Sequence, residues 1–390
     1  MTEHGMTGQH LRDKRELHPP MENFWAPPPT PKTRLGRHRQ LAPLAGVHVS
    51  PICLGAMSIG DKWTQMGAMD KAQSFRILDA FYDAGGNFID TANMYQDGTS
   101  EEFLGEWMQE PTKYTNNYKR RENYRQKTTF TGNNMKSLYL SVEDSLKKLR
   151  TDYIDILYVH WWDWTCGIEE VMNGLHYLVQ QRKVLYLGVS DAPAWVVSAA
   201  NMYARLTGKA PFVIYQGSWS VLDRDIEREI IPMCRSQGMA IAPWNVLGAG
   251  RIRTDEEEER RRQSGEHGRT ILNGQWERTP EQRKVCQALE KVAEEVGVKS
   301  ITAVAIAYVM QKTPFVFPVI GGRKVEHLMD NLKALEISLS PEQIAFIDSA
   351  QSFEPGFPYN IIGDGTEYSD PFKCGGHFDK WPSQQALRPH

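Results

Sequence analysis

Four residues in the first 160 positions have side chains that together could perform acid–base chemistry: Asp90, Tyr95, Lys113 and His160. A tyrosine with an ordinary pKa near 10 is a poor acid at neutral pH. A nearby lysine cation lowers that pKa, a carboxylate can hold the lysine, and a histidine can supply a hydrogen bond. Such a quartet could protonate the oxygen of a carbonyl that receives a hydride. Taken singly, the aspartate could be a cap, the tyrosine a packed aromatic and the histidine a core residue.

Further polar residues and glycines follow apolar runs later in the chain. Ser190 and Asp191 follow "VLYLGV", Gln216 ends "FVIYQ", and Gly321–Gly322 follow "FVFPVI". Because functional groups gather at the carboxyl ends of parallel strands, we expect these residues to face one site.

Apolar strands and amphipathic helices alternate at roughly 30-residue spacing, which is typical of βαβ units. The strands are nearly continuous apolar runs, as in a parallel sheet buried on both faces. Seven are clear and an eighth, near residue 110, is doubtful. The pattern predicts an α/β fold, a (βα)₈ barrel with a shortened or irregular third strand. A doubly wound sheet is the rival, but no GxGxxG follows the first strand.

The doubtful strand lies in "GEWMQEPTKYTNNYKRR", residues 105–121, which lacks an apolar run. Lys113 follows Tyr95 by only 18 positions (113 − 95), and Pro111 has no N–H for a central ladder. We therefore expect Lys113 to be loosely placed and proton donation to be impaired. A gene-model artefact, an isoform and an evolved loss all remain open as explanations.

Composition excludes several classes of function. A formal net charge of −3 gives no general attraction to nucleic acid or anionic membrane, and no apolar run approaches the length of a spanning helix. The 5 cysteines are scattered without a CxxC pair, and no spacing suggests a metal site. We expect a cytoplasmic protein with a flexible lead (1–34), a barrel (35–350) and a tail (351–390).

Three segments outside the regular pattern carry unusual composition. The basic, tyrosine-rich segment 118–127 is read as a solvated loop rather than a nucleic-acid site. The charged segment 251–263 predicts a solvated insert beside the cofactor. The aromatic tail could fold over the barrel mouth and line a pocket, or be loose.

Six ordered motifs resemble the aldo-keto reductase superfamily, from about Leu35 to Asp364. They are most similar to its fungal branch of aryl-alcohol dehydrogenases and norsolorinic-acid-reductase-like enzymes. The motifs are "GGNFIDTANMYQDGTSEEFLGEWM", "DYIDILYVHWWDW", "LGVSDAP", "YQGSWS", "PWNVLGAGRIR" and "VIGGRKVEHLMDN". The resemblance implies that Asp90, Tyr95, Lys113 and His160 are the catalytic quartet.

The same resemblance implies an NADP cofactor and assigns residues to it. A guanidinium suits a phosphate dianion, so Arg323, with Lys324 beside it, favours NADPH over NADH. Gly321 departs from the pattern, because many relatives have a phosphate-binding lysine there. The implied groups are Ser190, Asp191 and Gln216 for the carboxamide, Trp219 near the stacking position, Leu247 and Gly250 for the pyrophosphate, Gly322 and Arg323 for the 2′-phosphate, and His327 and Asn331 for the adenine.

The resemblance thus predicts an NADPH-dependent oxidoreductase that interconverts a carbonyl and an alcohol on an aromatic or polyketide-like substrate, in fungal secondary metabolism. Trp161, Trp162 and Trp164 are consistent with an aromatic pocket, and equally with packing. The alternative is a nucleotide-binding scaffold or a catalytically impaired isoform. Substrate identity, physiological direction and oligomeric state stay open.

Overall fold

A ring of parallel strands surrounded by helices forms the body of the molecule. The computed structural model describes residues 25–64, 69–107, 112–119, 127–265 and 276–389. A hairpin, β1 (Arg39–Ala42) and β2 (Ala45–Val49), precedes the ring. The ring strands are β3 (Cys53–Gly55), β4 (Ile89–Asp90), β5 (Thr112–Tyr114), β6 (Ile154–Val159), β7 (Val184–Ser190), β8 (Phe212–Ser218), β9 (Ala240–Trp244) and β10 (Val319–Ile320).

The ring closes through two ladders and two junctions. Strands pair in parallel in the orders β10-β3-β4 and β5-β6-β7-β8-β9. Between β4 and β5, the backbone N–H of Asn93 donates to the carbonyl of Lys113 (3.2 Å). Between β9 and the chain before β10, Ile241 exchanges backbone hydrogen bonds with Phe315 (2.9 Å) and Phe317 (2.8 Å). The predicted (βα)₈ barrel is confirmed.

The helices pack outside the ring and begin at capping residues. Asp70 accepts from the backbone N–H of Gln73 (2.7 Å), and Thr279 forms a capping box with Gln282. No helix of the described residues is long and apolar enough to cross a membrane. The helices are α1 (Lys71–Asp83), α2 (Thr99–Trp107), α3 (Met135–Leu149), α4 (Ile168–Gln180), α5 (Ala194–Leu206), α6 (Ile230–Gln237), α7 (Asp255–Ser264), α8 (Pro280–Glu295), α9 (Ile301–Lys312), α10 (Val325–Leu332), α11 (Pro341–Ser349), α12 (Tyr359–Ile362) and α13 (Asp370–Lys373).

The hairpin closes the amino-terminal end of the barrel. Its buried residues Leu41, Ala45 and Val49 belong to one apolar cluster with Phe88 and Phe317, which lie inside the ring. Because this end is plugged by apolar side chains, the open end for chemistry is the carboxyl end of the strands.

The third ring strand, β5, is short, as predicted. It pairs Thr112 with Leu157, Lys113 with Tyr158 and Tyr114 with Val159 of β6. Residues 108–111 lie outside the described residues, so the prediction about Pro111 is untested there. Most of the basic segment 118–127 is outside them as well.

The charged insert is exposed to solvent along most of residues 255–264, as predicted, but one of its carboxylates is buried. Its residues 255–264 form α7, and the side chain of Glu258 is 3% exposed. Glu258 accepts from the guanidinium groups of Arg253 and Arg278, both at 2.9 Å. Burial alone would raise the pKa of Glu258, but these two cations hold it at about 2. The network ties α7 to the chain that follows β9.

The tail runs from the chain that follows β8 toward the amino-terminal end of the barrel. The Phe353 ring lies 4.5 Å from the guanidinium of Arg224, and Asp364 pairs with Arg235 on α6. Beyond that point the tail lines a cavity of about 1340 Å³ together with Pro43 of the hairpin and Phe315. These contacts lead the end of the tail to the amino-terminal end of the strands, and a substrate pocket lined by the tail stays a prediction.

Candidate active site

The four predicted catalytic residues meet at the carboxyl end of three neighbouring strands. Asp90 ends β4, Lys113 is the central residue of β5, and His160 directly follows β6. Tyr95 begins a short 3₁₀ turn after β4. The barrel therefore gathers residues spread over 70 positions of sequence into one cluster.

Lys113 is the best-fixed member of the quartet. Its side chain is fully buried, and its Nζ donates to Asp90 Oδ1 (2.5 Å) and to the carbonyl of Thr91 (2.9 Å). The same Nζ lies 5.3 Å from the ring centroid of Tyr95. The expectation of a loosely placed ammonium is therefore wrong.

Tyr95 is held by a turn with unusual backbone geometry. The two residues after it, Gln96 and Asp97, have φ of 52° and 56°. The buried amide of Gln96 accepts from the backbone N–H groups of Lys62 (3.0 Å) and Trp63 (2.7 Å) and donates to the carbonyl of Met57 (2.9 Å). Sequence reasoning missed this anchor, because its partners lie more than 30 positions away.

Gly60 leaves the space that the Gln96 anchor occupies. Its φ is +125°, and a Cβ there would lie 2.5 Å from the Cβ of Gln96. No side chain could be accommodated without moving the turn, so the loop before α1 helps to fix Tyr95.

The electrostatic environment keeps Tyr95 in its acid form. Burial, followed by the negative charges of Asp90 and Asp191, raises the pKa of Tyr95 well above 10. The sequence argument predicted a pKa lowered by Lys113, and that direction is wrong. A tyrosine that stays protonated at neutral pH can still give its proton to an oxygen that gains negative charge.

His160 is a neutral imidazole with a defined proton. It is 7% exposed, and burial together with the Lys113 charge lowers its pKa well below 6.5. The amide nitrogen Nδ2 of Asn116 lies 3.0 Å from His160 Nδ1. An amide N–H can only donate, so Nδ1 accepts and the ring proton sits on Nε2. The rings of His160 and Tyr95 meet edge to face at 5.9 Å.

The residues predicted to hold a carboxamide join the same cluster. Gln216, buried at the end of the ring strand β8, donates from Nε2 to Asp90 Oδ1 (3.1 Å). Asp191 accepts from the hydroxyl of Ser190 and from the indole N–H of Trp244, both at 3.2 Å. Trp244, the last residue of β9, was not among the predicted site residues, and its contact with Asp191 makes it part of the site.

Trp219 cannot take the stacking role that the sequence suggested. Its side chain has no exposed surface, and its indole N–H donates to Glu227 (2.9 Å). A nicotinamide needs an accessible ring face, so the structure contradicts this prediction.

The loop after β9 has the open backbone that a pyrophosphate needs. Gly250 has φ +87° and nothing within 4 Å of a Cβ placed there. Arg253 donates from Nη1 to the carbonyl of Gly250 (3.0 Å), so the buried ion network holds this loop. Leu247 lies at the start of the same 3₁₀ turn.

The groups predicted for the phosphate and adenine end lie after β10. Arg323, Lys324 and His327 are exposed, whereas Asn331 is buried. Gly322, Lys324 and Asn331 line one small cleft at the start of α10. Two exposed cations beside an open glycine loop fit a phosphorylated dinucleotide. Within the described ranges, no group of three or more His, Cys, Asp or Glu side chains is arranged to hold a metal ion.

Comparison with known proteins decides the family. The model of the aldo/keto reductase family matches residues 51–352, more than half of the chain. The chain belongs to the aldo/keto reductase family. The resemblance drawn from the six motifs is confirmed.

Curated relatives of this reductase cover almost its whole length. It is 65% identical to an aryl-alcohol dehydrogenase [NADP(+)] of Phanerodontia chrysosporium, over 94% of this chain and 99% of the relative. It is 54% identical to a putative aryl-alcohol dehydrogenase of Saccharomyces cerevisiae, over 88% and 94%. It is 47% identical to norsolorinic acid reductase A of Aspergillus parasiticus, over 93% and 95%. The predicted fungal branch is therefore confirmed.

Proposed function

We propose that this chain is an NADPH-dependent oxidoreductase that interconverts a carbonyl and an alcohol on an aromatic or polyketide-like substrate. The observation that carries the proposal is the buried contact of Lys113 with Asp90 beside Tyr95 and His160. A scaffold without turnover would have no need for a fully buried lysine aimed at a protonated tyrosine.

The four residues divide the acid–base work. When bound, NADPH supplies the hydride that the carbonyl carbon receives. Tyr95 gives its Oη proton to the carbonyl oxygen, and the Lys113 ammonium then stabilises the phenolate that remains. Asp90 holds that ammonium, and the neutral His160 presents Nε2–H as a hydrogen-bond donor to the same oxygen. Alcohol oxidation would use the same groups in reverse, with the phenolate as base.

Three observations support NADPH as the cofactor. The Phanerodontia chrysosporium relative is named as an NADP(+) enzyme. Arg323 and Lys324 are exposed at the end of the barrel where the other cofactor groups lie. A guanidinium can bind a phosphate through two parallel hydrogen bonds, which the ribose hydroxyl of NADH cannot match. Gly321, with no side chain, supplies no further cation, so the preference rests on Arg323, with Lys324 beside it.

An aromatic rim beside the quartet supports an aromatic substrate. Trp161 is 45% exposed and its ring lies 5.1 Å from that of His160. Trp164 and Trp195 are also exposed and approach each other at 6.4 Å. The names of the relatives, aryl-alcohol dehydrogenase and norsolorinic acid reductase, agree with this substrate class.

The cellular location is also part of the proposal. All 5 cysteines are free, and Cys53, Cys234 and Cys286 are buried as thiols. Reduced thiols suit a reducing compartment, which supports the cytoplasm.

The test measures binding and turnover on the same preparation. NADPH binding is followed by fluorescence, and carbonyl reduction by NADPH consumption with aryl aldehydes and aliphatic aldehydes of similar size. We expect binding and turnover, with the aryl aldehydes preferred. Binding without turnover on any carbonyl would favour the nucleotide-binding scaffold.

A further inference from the structure

The short strand β5 has few described backbone hydrogen bonds to its neighbours, although it carries Lys113. Its ladder with β6 covers three residue pairs, and on the β4 side one backbone hydrogen bond joins the described residues, from Asn93 N–H to the Lys113 carbonyl. Yet the Lys113 ammonium sits within hydrogen-bond distance of Asp90. Something beyond the described ladder must fix this strand.

The start of α2 supplies contacts to the residue just before Lys113. Glu101 has no exposed surface, and its Oε1 accepts a hydrogen bond from the hydroxyl of Thr112 (2.6 Å). Its Oε2 accepts from Nζ of Lys148 on α3 (3.0 Å). A buried carboxylate is stable only when its oxygens are paired, and here both are.

Ser100, the residue before Glu101, contacts Thr91, whose carbonyl also accepts a hydrogen bond from Lys113. Ser100, also fully buried, donates to the carbonyl of Ala56 (3.0 Å) and accepts a hydrogen bond from the hydroxyl of Thr91 (2.8 Å). The carbonyl of Thr91 is the second acceptor for Lys113. The first turn of α2 therefore contacts both Thr112, which precedes Lys113, and Thr91, which accepts a hydrogen bond from the Lys113 ammonium.

We propose that Glu101 is a positioning residue for Lys113, acting through the Thr112 hydroxyl and held in place by Lys148. A side-chain clamp from α2 compensates for the short ladder of β5. The tests of this inference that measure activity rest on the proposed reductase function.

The main test is the substitution Thr112→Val, which removes the hydroxyl while keeping the side-chain shape. The matched control is Thr151→Val. Thr151 is also buried and its hydroxyl donates to the carbonyl of Tyr153 (3.0 Å), but it lies before β6, at the far end of the barrel. Thr112→Ser retains a hydroxyl and should keep the hydrogen bond to Glu101.

We expect Thr112→Val to lower kcat by about 10- to 100-fold, the scale of a misplaced catalytic group, with NADPH affinity unchanged. Thr151→Val should lose thermal stability without losing kcat, and Thr112→Ser should keep most of the kcat. The kcat of Glu101→Ala should fall at least as far as that of Thr112→Val. If Glu101→Ala does not fold, the Thr112→Val, Thr112→Ser and Thr151→Val variants test the inference.

A second measurement is independent of activity. Native lysines are acylated with an amine-reactive anhydride, and labelling of Lys113 is measured by mass spectrometry against the exposed Lys333. Lys113 should be protected in the wild type and in Thr151→Val, and labelled faster in Thr112→Val. Equal protection in both valine variants would overturn the inference. If the wild type reduces no carbonyl but Thr112→Val alone exposes Lys113, the proposed function fails and the positioning role stands.

Discussion

Tyr95 lies between one cation and two carboxylates, and burial decides the balance among them. The Lys113 ammonium is 5.3 Å from its ring, while Asp90 and Asp191 add negative potential. Burial and these carboxylates keep the phenol protonated before reaction. The ammonium acts when a negative charge appears, because a low-dielectric site strengthens its attraction to a phenolate.

Replacing Tyr95→Phe removes the proton donor and little else. We expect kcat to fall by about 10² to 10⁴, the usual contribution of a general acid, with NADPH affinity intact. Steady-state kinetics and a binding titration measure the two quantities. Tyr158→Phe is the control, because that buried hydroxyl has no hydrogen-bond partner among the described residues. Near-full turnover in Tyr95→Phe would remove this residue from the chemistry.

Replacing Arg323→Ala tests the 2′-phosphate contact. We expect NADPH to bind more weakly by about 1.5 to 3 kcal/mol, the range for hydrogen bonds to charged groups, and NADH to be little affected. The dissociation constants of both nucleotides are measured on the same variant, so NADH is the internal control. An equal loss for both would place the phosphate site elsewhere.

At the scale of elements, two polar clamps compensate for irregular stretches of the barrel. The first turn of α2 holds the short β5 through Glu101. Glu258 on α7 holds Arg253, which in turn donates to the Gly250 carbonyl. Both carboxylates are buried and paired, so each adds polar contacts to a short strand or a glycine loop.

Replacing Glu258→Gln should destabilise α7 and the glycine loop together. Breaking a buried ion pair on one side typically costs about 3 to 5 kcal/mol, and urea unfolding measures that loss. Glu259→Gln is the control, because that side chain is 51% exposed and its pair with Arg262 is worth at most about 1 kcal/mol. NADPH affinity should fall in Glu258→Gln only. Unchanged stability in that variant would show that the network is not needed.

At the scale of the whole molecule, the catalytic residues and the apolar plug lie at opposite ends of the barrel. The quartet lies at the carboxyl ends of the strands, while the hairpin and the end of the tail lie at the amino ends. The free energy of unfolding still responds to the active site, because a buried neutral histidine must be solvated and can take a proton when the chain unfolds.

His160 should make stability depend on pH. Its folded-state pKa is depressed, so below the unfolded value near 6.5 the unfolded chain binds a proton that the folded chain does not. Stability from this group is therefore lost as pH falls below about 6.5, at up to about 1.4 kcal/mol per pH unit. Urea unfolding between pH 5 and 8, values that bracket its ordinary pKa of about 6.5, should show a shallower slope for His160→Gln. His48→Gln, at an exposed position on β2, should keep the wild-type slope; equal slopes for all three proteins would mean that His160 binds a proton equally in the folded and unfolded chains.

Much of the fold and half of the site followed from local patterns. The apolar run "VLYLGV" before Ser190 forms most of β7 (Val184–Ser190), because a strand buried along most of its length needs apolar side chains at successive positions. The full quartet followed from the family resemblance, because Lys113 follows no apolar run. The shortness of β5 was visible for the same reason, and the structure gives it three residues, Thr112–Tyr114.

Tertiary structure alone decided burial and charge environment. Lys113 is fixed by Asp90, 23 positions earlier, and Thr112 is gripped by Glu101 on a helix that the pattern placed without its partners. Trp219 is inside the core, although the family resemblance placed it near the cofactor, and Glu258 is inside an ion network, although its charged segment favoured a solvated insert. The pKa direction of Tyr95 depends on Asp191, nearly one hundred positions away. Hydrophobic periodicity is a property of neighbours in sequence, whereas desolvation and electrostatic potential are sums over neighbours in space, and only the closed barrel brings those neighbours together.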